Sequence, residues 1–216
     1  MKITEIQKGK GKLYEITLED ESRFWLHADL LQSEFLHTGD DLTPERIAEL
    51  RQRAAEHRAY EYGMYLLDRR GYSYRELYDK LMTAPHAQED AVLKALEKMT
   101  RYGFINDARY AEQLARHYVE SKKYGLRRAE YEMRHRGLSQ ADIDDALAEY
   151  DDPVRISEML LELLQKKYAR ELTDPDDRKA TEKVTAALVR RGYTYQQIKY
   201  AIEDYYAWAE EQADDT

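Results

Sequence analysis

Apolar residues follow two periods along this chain, a strand period near the beginning and a helix period over the rest. In the first forty or so residues they form three short runs, which begin at Ile3, Leu13 and Phe24. Charged turn sequences separate these runs, at 8–12 and at 19–22. The pattern predicts a small antiparallel sheet.

From residue 43 onward, apolar positions recur every three or four residues, as is typical of amphipathic helices. A capping side chain directly before a proline marks three helix starts, at Thr43-Pro44, Asp152-Pro153 and Asp174-Pro175. These signals divide the chain into three units of three helices, a repeat length typical of helical solenoids. The predicted helices lie near 59–70, 74–83 and 88–102, near 107–123, 126–136 and 140–150, and near 153–170, 175–191 and 195–209.

A short corner sequence recurs at Arg69–Tyr74, Arg134–Ser139 and Arg190–Tyr195. In each copy, basic residues precede a glycine that predicts a left-handed helix stop, and a serine or threonine then predicts an N-cap with a capping box. The predicted structural residues of the corners are Gly71, Ser73, Gly137, Ser139, Gly192 and Thr194. For the corner arginines Arg70, Arg136 and Arg191 we favour a role in ending helices over a contact with a partner, although Arg136 is also kept as a partner-binding candidate.

These patterns predict a mainly α fold of three tandem three-helix repeats with a small N-terminal β segment. The predicted boundaries are 1–42 for the β-rich extension, 43–106 for a linker helix and repeat 1, 107–152 for repeat 2, and 153–216 for repeat 3 with an acidic tail. That tail, from Glu203 to Thr216, contains no Lys or Arg.

Composition narrows the classes of function. The 216 residues include no Cys, 36% are charged, and the formal net charge is -9. Disulfides and thiolate metal sites are therefore excluded, and a reducing, cytoplasmic location is expected. The chain has 19 Tyr but only 3 Phe, a composition that suits thin repeat layers and protein interfaces. We expect no membrane span, because the apolar stretches are too short.

Sequence motifs give no support for an enzyme. A phosphate-binding loop and a nucleophile elbow are both absent, and acidic pairs such as Asp144-Asp145 are interpreted as solvated helix ends. The six histidines show no metal-ligand spacing: His27, His37, His57, His86, His117 and His135. We therefore predict no catalysis, no metal, no cofactor and no small-molecule substrate.

Three segments resemble the RecX family of regulators of the RecA recombinase: Tyr65–Leu77, Tyr102–Ala111 and Lys123–Leu138. The resemblance is closest over 59–150 and continues over 153–206. It implies an all-helical body of three repeats, an elongated curved strip, and binding in the groove of the RecA filament on single-stranded DNA. It also implies that strand exchange and ATP hydrolysis by RecA are modulated, usually inhibited.

One basic segment stands out in this acidic chain. From Arg116 to Arg136 there are seven Lys or Arg and three Glu, a local net charge of +4. A helix that starts near Leu126 would place Arg127, Tyr131 and Arg134 on one face. An exposed basic face is often only solvated, but the resemblance favours binding. The predicted partner-binding residues are Lys122, Lys123, Arg127, Arg128, Tyr131, Arg134 and Arg136.

Two other functions stay open at this level. One is a nucleic-acid-binding module, in which a corner such as that at Gly71 would act like a helix-turn-helix element and make weak direct contact with DNA. The other is a general helical scaffold for an unrelated protein. A DNA-binding module would lose affinity steeply with salt, whereas a protein contact that is largely apolar would not.

Overall fold

The N-terminal segment folds as a three-stranded antiparallel sheet, as predicted. The computed structural model describes the backbone of residues 1–214 and the side chains of residues 1–212. Strands β1 (Ile3–Lys8), β2 (Leu13–Leu18) and β3 (Arg23–His27) pair in the order β1-β2-β3. Each of the two predicted turns joins neighbouring strands.

One face of this sheet packs against the first half of a long helix. The shared apolar cluster consists of Ile3, Ile16, Leu18, Phe24, Leu26, Leu36, Leu42, Ile47, Leu50 and Ala54. Alternate strand residues point to the same face, so Ile16 and Leu18 of β2 and Phe24 and Leu26 of β3 all enter this cluster. The sheet is thus fixed to this helix by a common core.

Helices form the rest of the described chain, and no strand follows β3 within residues 1–214. The α-helices are α1 (Ala28–Ser33), α2 (Pro44–Leu67), α3 (Tyr74–Met82), α4 (Glu89–Arg101), α5 (Asp107–Arg116), α6 (Leu126–His135), α7 (Gln140–Ala148), α8 (Pro153–Lys167), α9 (Arg178–Arg190) and α10 (Tyr195–Asp214). A π-helical turn, His117–Ser121, continues α5. The predicted mainly α fold is confirmed. No helix within the described residues is long and apolar enough to span a membrane.

The predicted helix start at residue 59 is wrong, because α2 runs without a break from Pro44. Gly63 does not interrupt it. A side chain at this position would meet the Met99 methyl group at 2.3 Å, so the glycine allows α4 to pack closely on α2. The predicted start at Pro44, with the Thr43 hydroxyl accepting from the Arg46 amide, is confirmed.

The predicted helix start at Asp174-Pro175 is also wrong. The Asp174 carboxylate accepts from the amide of Asp176 at 2.9 Å and stabilises a turn instead. Helix α9 begins at Arg178, after Asp177, whose carboxylate accepts from the amides of Lys179 and Ala180. Both Asp174 and Asp177 are suitable N-cap residues, and Asp177, the later of the two, is the N-cap of α9.

All three predicted N-caps are confirmed. The hydroxyls of Ser73, Ser139 and Thr194 accept from the amides three residues later, at 3.1, 3.1 and 3.2 Å. The box is reciprocal at Thr194, where the Gln197 side chain accepts from the Thr194 amide at 2.9 Å. These caps define where α3, α7 and α10 begin.

The left-handed helix stop is confirmed at Gly137 (φ +77°) and Gly192 (φ +94°) but is wrong at Gly71. In the first corner the chain leaves α2 by a tighter turn, in which the Arg69 amide donates to the Leu66 carbonyl. The Arg70 guanidinium then donates to the Gly71 carbonyl at 2.9 Å and to Glu76. This arginine has the structural role predicted for it.

The described chain divides into two compact units, residues 1–105 and residues from 106 onward. In the first unit, α2, α3 and α4 enclose an apolar cluster that includes Leu77, Leu96 and Met99. In the second unit, α5 to α7 and α8 to α10 enclose one cluster each, and Leu126 packs against both. The two three-helix groups of the second unit therefore share a side chain at the start of α6.

Glu34 is the most buried carboxylate in an ion pair of the N-terminal region, with its side chain 6% exposed between Arg46 and Arg53. We expect Glu34→Ala to lower the free energy of unfolding by about 1–3 kcal/mol, since both cations lose a charged partner. Glu49→Ala is the matched control, because Glu49 pairs with the same Arg46 at an exposed site and should cost less than about 1 kcal/mol. Urea unfolding of both variants tests this, and equal losses would contradict it.

Candidate partner-binding surface

Helix α6 presents a basic and aromatic face to solvent. Its Ala129 and Met133 are fully buried in the core of α5 to α7. Arg127, Tyr131 and Arg134 lie on the opposite side and are exposed, with Tyr131 47% accessible. We call the surface formed by Arg127, Arg128, Tyr131 and Arg134 the α6 face.

The π-helical turn and the loop after it place two lysines at the start of α6. The Lys122 amide donates to the His117 carbonyl at 3.0 Å, and the Tyr124 amide donates to the Tyr118 carbonyl at 2.9 Å. Lys123 adopts a positive φ of 53°, which turns the chain into α6. Lys122 is exposed and Lys123 is half-buried. The predicted binding lysines therefore lie next to the α6 face.

Ion pairs neutralise part of this basic segment. The pairs are Lys123 with Glu162 (2.9 Å), Arg128 with Glu132, and Arg134 with Glu130. By contrast, no carboxylate of the described residues lies within 4.0 Å of the Lys122 ammonium or the Arg127 guanidinium. These two cations keep their charge available for a partner. Arg136, the remaining predicted residue, is half-buried at the C-cap of α6.

Aromatic rings complete the surface. The Arg128 guanidinium lies 5.3 Å from the Tyr131 ring centre and 5.9 Å from that of Tyr124. The Tyr131 ring also contacts the His135 ring, with centroids 4.3 Å apart. Such contacts between cations and aromatic rings hold both side chains in place. The face therefore offers guanidinium groups for phosphate or carboxylate oxygens and an exposed ring for stacking.

The start of α6 is fixed to the third corner by backbone contacts. The Gly125 amide donates to the Arg191 carbonyl at 2.8 Å, and the Arg191 guanidinium donates to the Lys122 carbonyl at 3.0 Å. The hydroxyl of Tyr193, whose pKa is raised to about 12 by burial, donates to the Lys123 carbonyl at 3.2 Å. Arg191 thus has a structural role, as predicted, and it orients the α6 face.

The acidic residues that neutralise part of the positive charge of this surface were not predicted from the sequence. Glu162 lies 39 residues after Lys123, and no local pattern links the two. Glu130 and Glu132 are near in sequence, but the spacing alone did not show which arginines they pair with. The α6 face itself was predictable, because the positions i, i+4 and i+7 lie together on any helix.

The pKa of the Glu162 carboxyl provides a test of the contact between Lys123 and Glu162. Hydrogen bonds and charge from Lys166 and Lys123 lower the pKa of its carboxyl from 4.5 to about 2. A lowered pKa means that the contribution to stability is present above about pH 4.5 and is lost as the pH falls toward 2. We expect NMR titration of the Glu162 carboxyl to show this low midpoint, and Lys123→Met to raise it. An unchanged midpoint in the variant would contradict the Lys123–Glu162 contact.

Comparison with known proteins supports one family. Residues 106–147 match the family model for the second three-helix domain of RecX, and residues 156–202 match the model for the third. These two consecutive matches support membership of the RecX family. Among its relatives, the regulatory protein RecX of Streptococcus sanguinis strain SK36 is 24% identical over 203 residues, which are 94% of this chain and 76% of that protein.

Two further comparisons cover nearly whole chains. The regulatory protein RecX of Clostridium botulinum strain Eklund 17B is 23% identical over 93% of both chains. A crystal structure of regulatory protein RecX superposes with a TM-score of 0.70 at 24% identity and covers 94% of this chain and 98% of that one. That structure shows the fold to be shared. The α6 face lies within the segment that matches the second RecX domain.

Proposed function

We propose that this chain is a non-enzymatic regulator of homologous recombination and DNA repair that binds the RecA filament on single-stranded DNA. On binding, it inhibits strand exchange and ATP hydrolysis by RecA. The observation that carries this proposal is the match to two consecutive RecX domains, together with relatives that are named regulatory proteins.

The geometry suits contact with a large acidic partner. The chain carries a net charge of -9, yet Lys122 and Arg127 lie exposed without carboxylate partners among the described residues. A local basic surface on an acidic protein favours one orientation of approach to phosphate or carboxylate groups. We propose that Lys122, Lys123, Arg127, Arg128, Tyr131, Arg134 and Arg136 form the contact region, with Lys122, Arg127 and Arg134 contributing most.

The mechanism is steric. Because Gly125 contacts the corner at Gly192, helices α5 to α10 hold the α6 face rigidly. A rigid body that occupies the groove between RecA subunits would block the incoming DNA and resist the subunit movements that accompany ATP hydrolysis. Rigidity matters here because a preformed surface avoids the entropy cost of ordering on binding.

Direct contact with DNA is a secondary part of this proposal. Tyr131 is exposed among arginines, an arrangement that binds single strands by stacking and charge. The overall negative charge of the chain opposes binding to bare DNA, so DNA alone should be bound weakly.

Sedimentation with RecA filaments tests the proposed partner. The chain is mixed with RecA filaments on single-stranded DNA, with the DNA alone and with RecA alone, each at 50 and 200 mM salt. We expect strong cosedimentation with the filament and weak, salt-sensitive binding to DNA alone. Equal binding to filament and bare DNA would favour a nucleic-acid-binding module, and no binding to the filament would overturn the proposal.

A further inference from the structure

Two histidines and an aspartate that are distant in sequence meet between the sheet and α2. His27 lies at the end of β3 and His57 in the middle of α2, and their rings stack with centroids 4.4 Å apart. The Asp29 carboxylate lies 3.3 Å from Nδ1 of His27. One ligand atom from each of the three residues lies within 4.8 Å of the other two.

The donor set matches what a transition metal requires. His27 and His57 each offer an imidazole nitrogen and Asp29 offers a carboxylate oxygen, which are ligand atoms that transition-metal ions bind. Neither ring nitrogen of His57 has a hydrogen-bond partner among the described residues. His27 accepts the Asp29 amide through Nδ1 at 3.2 Å, which leaves its Nε2 available.

There is open space beside the two histidine rings. A cleft of about 330 Å³ is lined there by His27, His57, Trp25, Arg58 and Glu61, among others, while Asp29 lies outside its lining. Ligands at about 2.0–2.1 Å in a tetrahedral site are about 3.4 Å apart. The three ligand atoms lie within 4.8 Å of one another, so they would need to approach by at most about 1.4 Å to reach that spacing.

We propose that His27, His57 and Asp29 bind one divalent transition-metal ion of the zinc class, with water as a fourth ligand. Two imidazoles and one carboxylate suit zinc, cobalt or nickel rather than magnesium or calcium. The ion would link the β3–α1 junction to α2 and would stabilise the N-terminal unit. This proposal is independent of the proposed function, since it uses none of the residues of the α6 face.

Calorimetric titration of the untagged chain with Zn²⁺, and cobalt absorption in the visible range, test this site. We expect one ion per chain, a tetrahedral cobalt spectrum, and binding at least tenfold weaker in His57→Gln and in Asp29→Asn. Asp29 is exposed, so this second variant keeps the fold even if the first does not. His37→Gln is the matched control, because His37 lies 4.0 Å from Asp40 without a second histidine. Absence of binding by the wild type, or equal binding by Asp29→Asn, would overturn the proposal.

Discussion

Replacing Gly192 by alanine is expected to lower the free energy of unfolding by about 2–5 kcal/mol. A left-handed conformation costs about 1–2 kcal/mol for a residue with a side chain, and Gly192 has a φ of +94°. In addition, the new Cβ would lie 2.4 Å from the Arg128 backbone nitrogen and 2.5 Å from the Arg128 Cβ. Such overpacking costs about 1–3 kcal/mol more. Urea unfolding followed by circular dichroism measures the total.

Gly103→Ala separates the two contributions. Gly103 also has a positive φ, of +74°, but a Cβ there meets no atom within 4 Å. This control should therefore cost only the conformational part, about 1–2 kcal/mol. A Gly192 variant no less stable than the Gly103 variant would contradict the close packing of the third corner on α6.

Local signals in the sequence predicted much of the fold. Capping boxes depend on residues three positions apart, so Ser73, Ser139 and Thr194 could be identified without tertiary structure. The strands followed from short β-prone runs between turns, and the exposed face of α6 followed from helical periodicity. Predictions that depend on interactions between residues within one turn or one corner are mostly confirmed.

The errors have specific physical causes. Gly71 was assigned the conformation of Gly137 and Gly192, but the Arg70–Glu76 ion pair closes that corner differently. Asp174 precedes a proline, as good helix starts do, yet it stabilises a turn. In both cases a nearby side chain supplied an alternative set of hydrogen bonds.

Contacts between distant residues could not be predicted at all. His27 and His57 lie 30 residues apart, and only the packing of β3 on α2 brings their rings together. Likewise the Lys123–Glu162 pair depends on how α8 packs against the loop before α6. The predicted acidic tail continues α10 as helix to residue 214, and its last two residues lie outside the described part of the chain.

Reversing the charge of the contact region is expected to abolish tight binding to the filament. We choose Lys122→Glu, Arg127→Glu and Arg134→Glu, because these side chains are exposed, and leave Arg128, whose backbone packs on Gly192. Like charges placed against an acidic or phosphate-rich surface cost several kcal/mol. We expect binding about 100-fold weaker, or about 3 kcal/mol. Surface substitutions change stability little, so circular dichroism should show an intact fold.

The control carries the same change in net charge elsewhere. Arg75, Arg101 and Lys199 are exposed and, like Arg134, each pairs with a carboxylate four positions away on its helix. Their joint change to glutamate should leave filament binding within about threefold of wild type, apart from a small general electrostatic effect. Equal losses in both triple variants would mean that net charge, not the α6 face, controls binding.

The most direct test measures ATP hydrolysis by RecA filaments on single-stranded DNA while the chain and its variants are added. The wild type and the control triple variant should inhibit at similar concentrations, whereas the Lys122, Arg127 and Arg134 variant should need about 100-fold more. A wild-type chain that leaves hydrolysis unchanged would contradict the proposed inhibition. A charge-reversed variant that inhibits as well as the wild type would place the contact elsewhere on the chain.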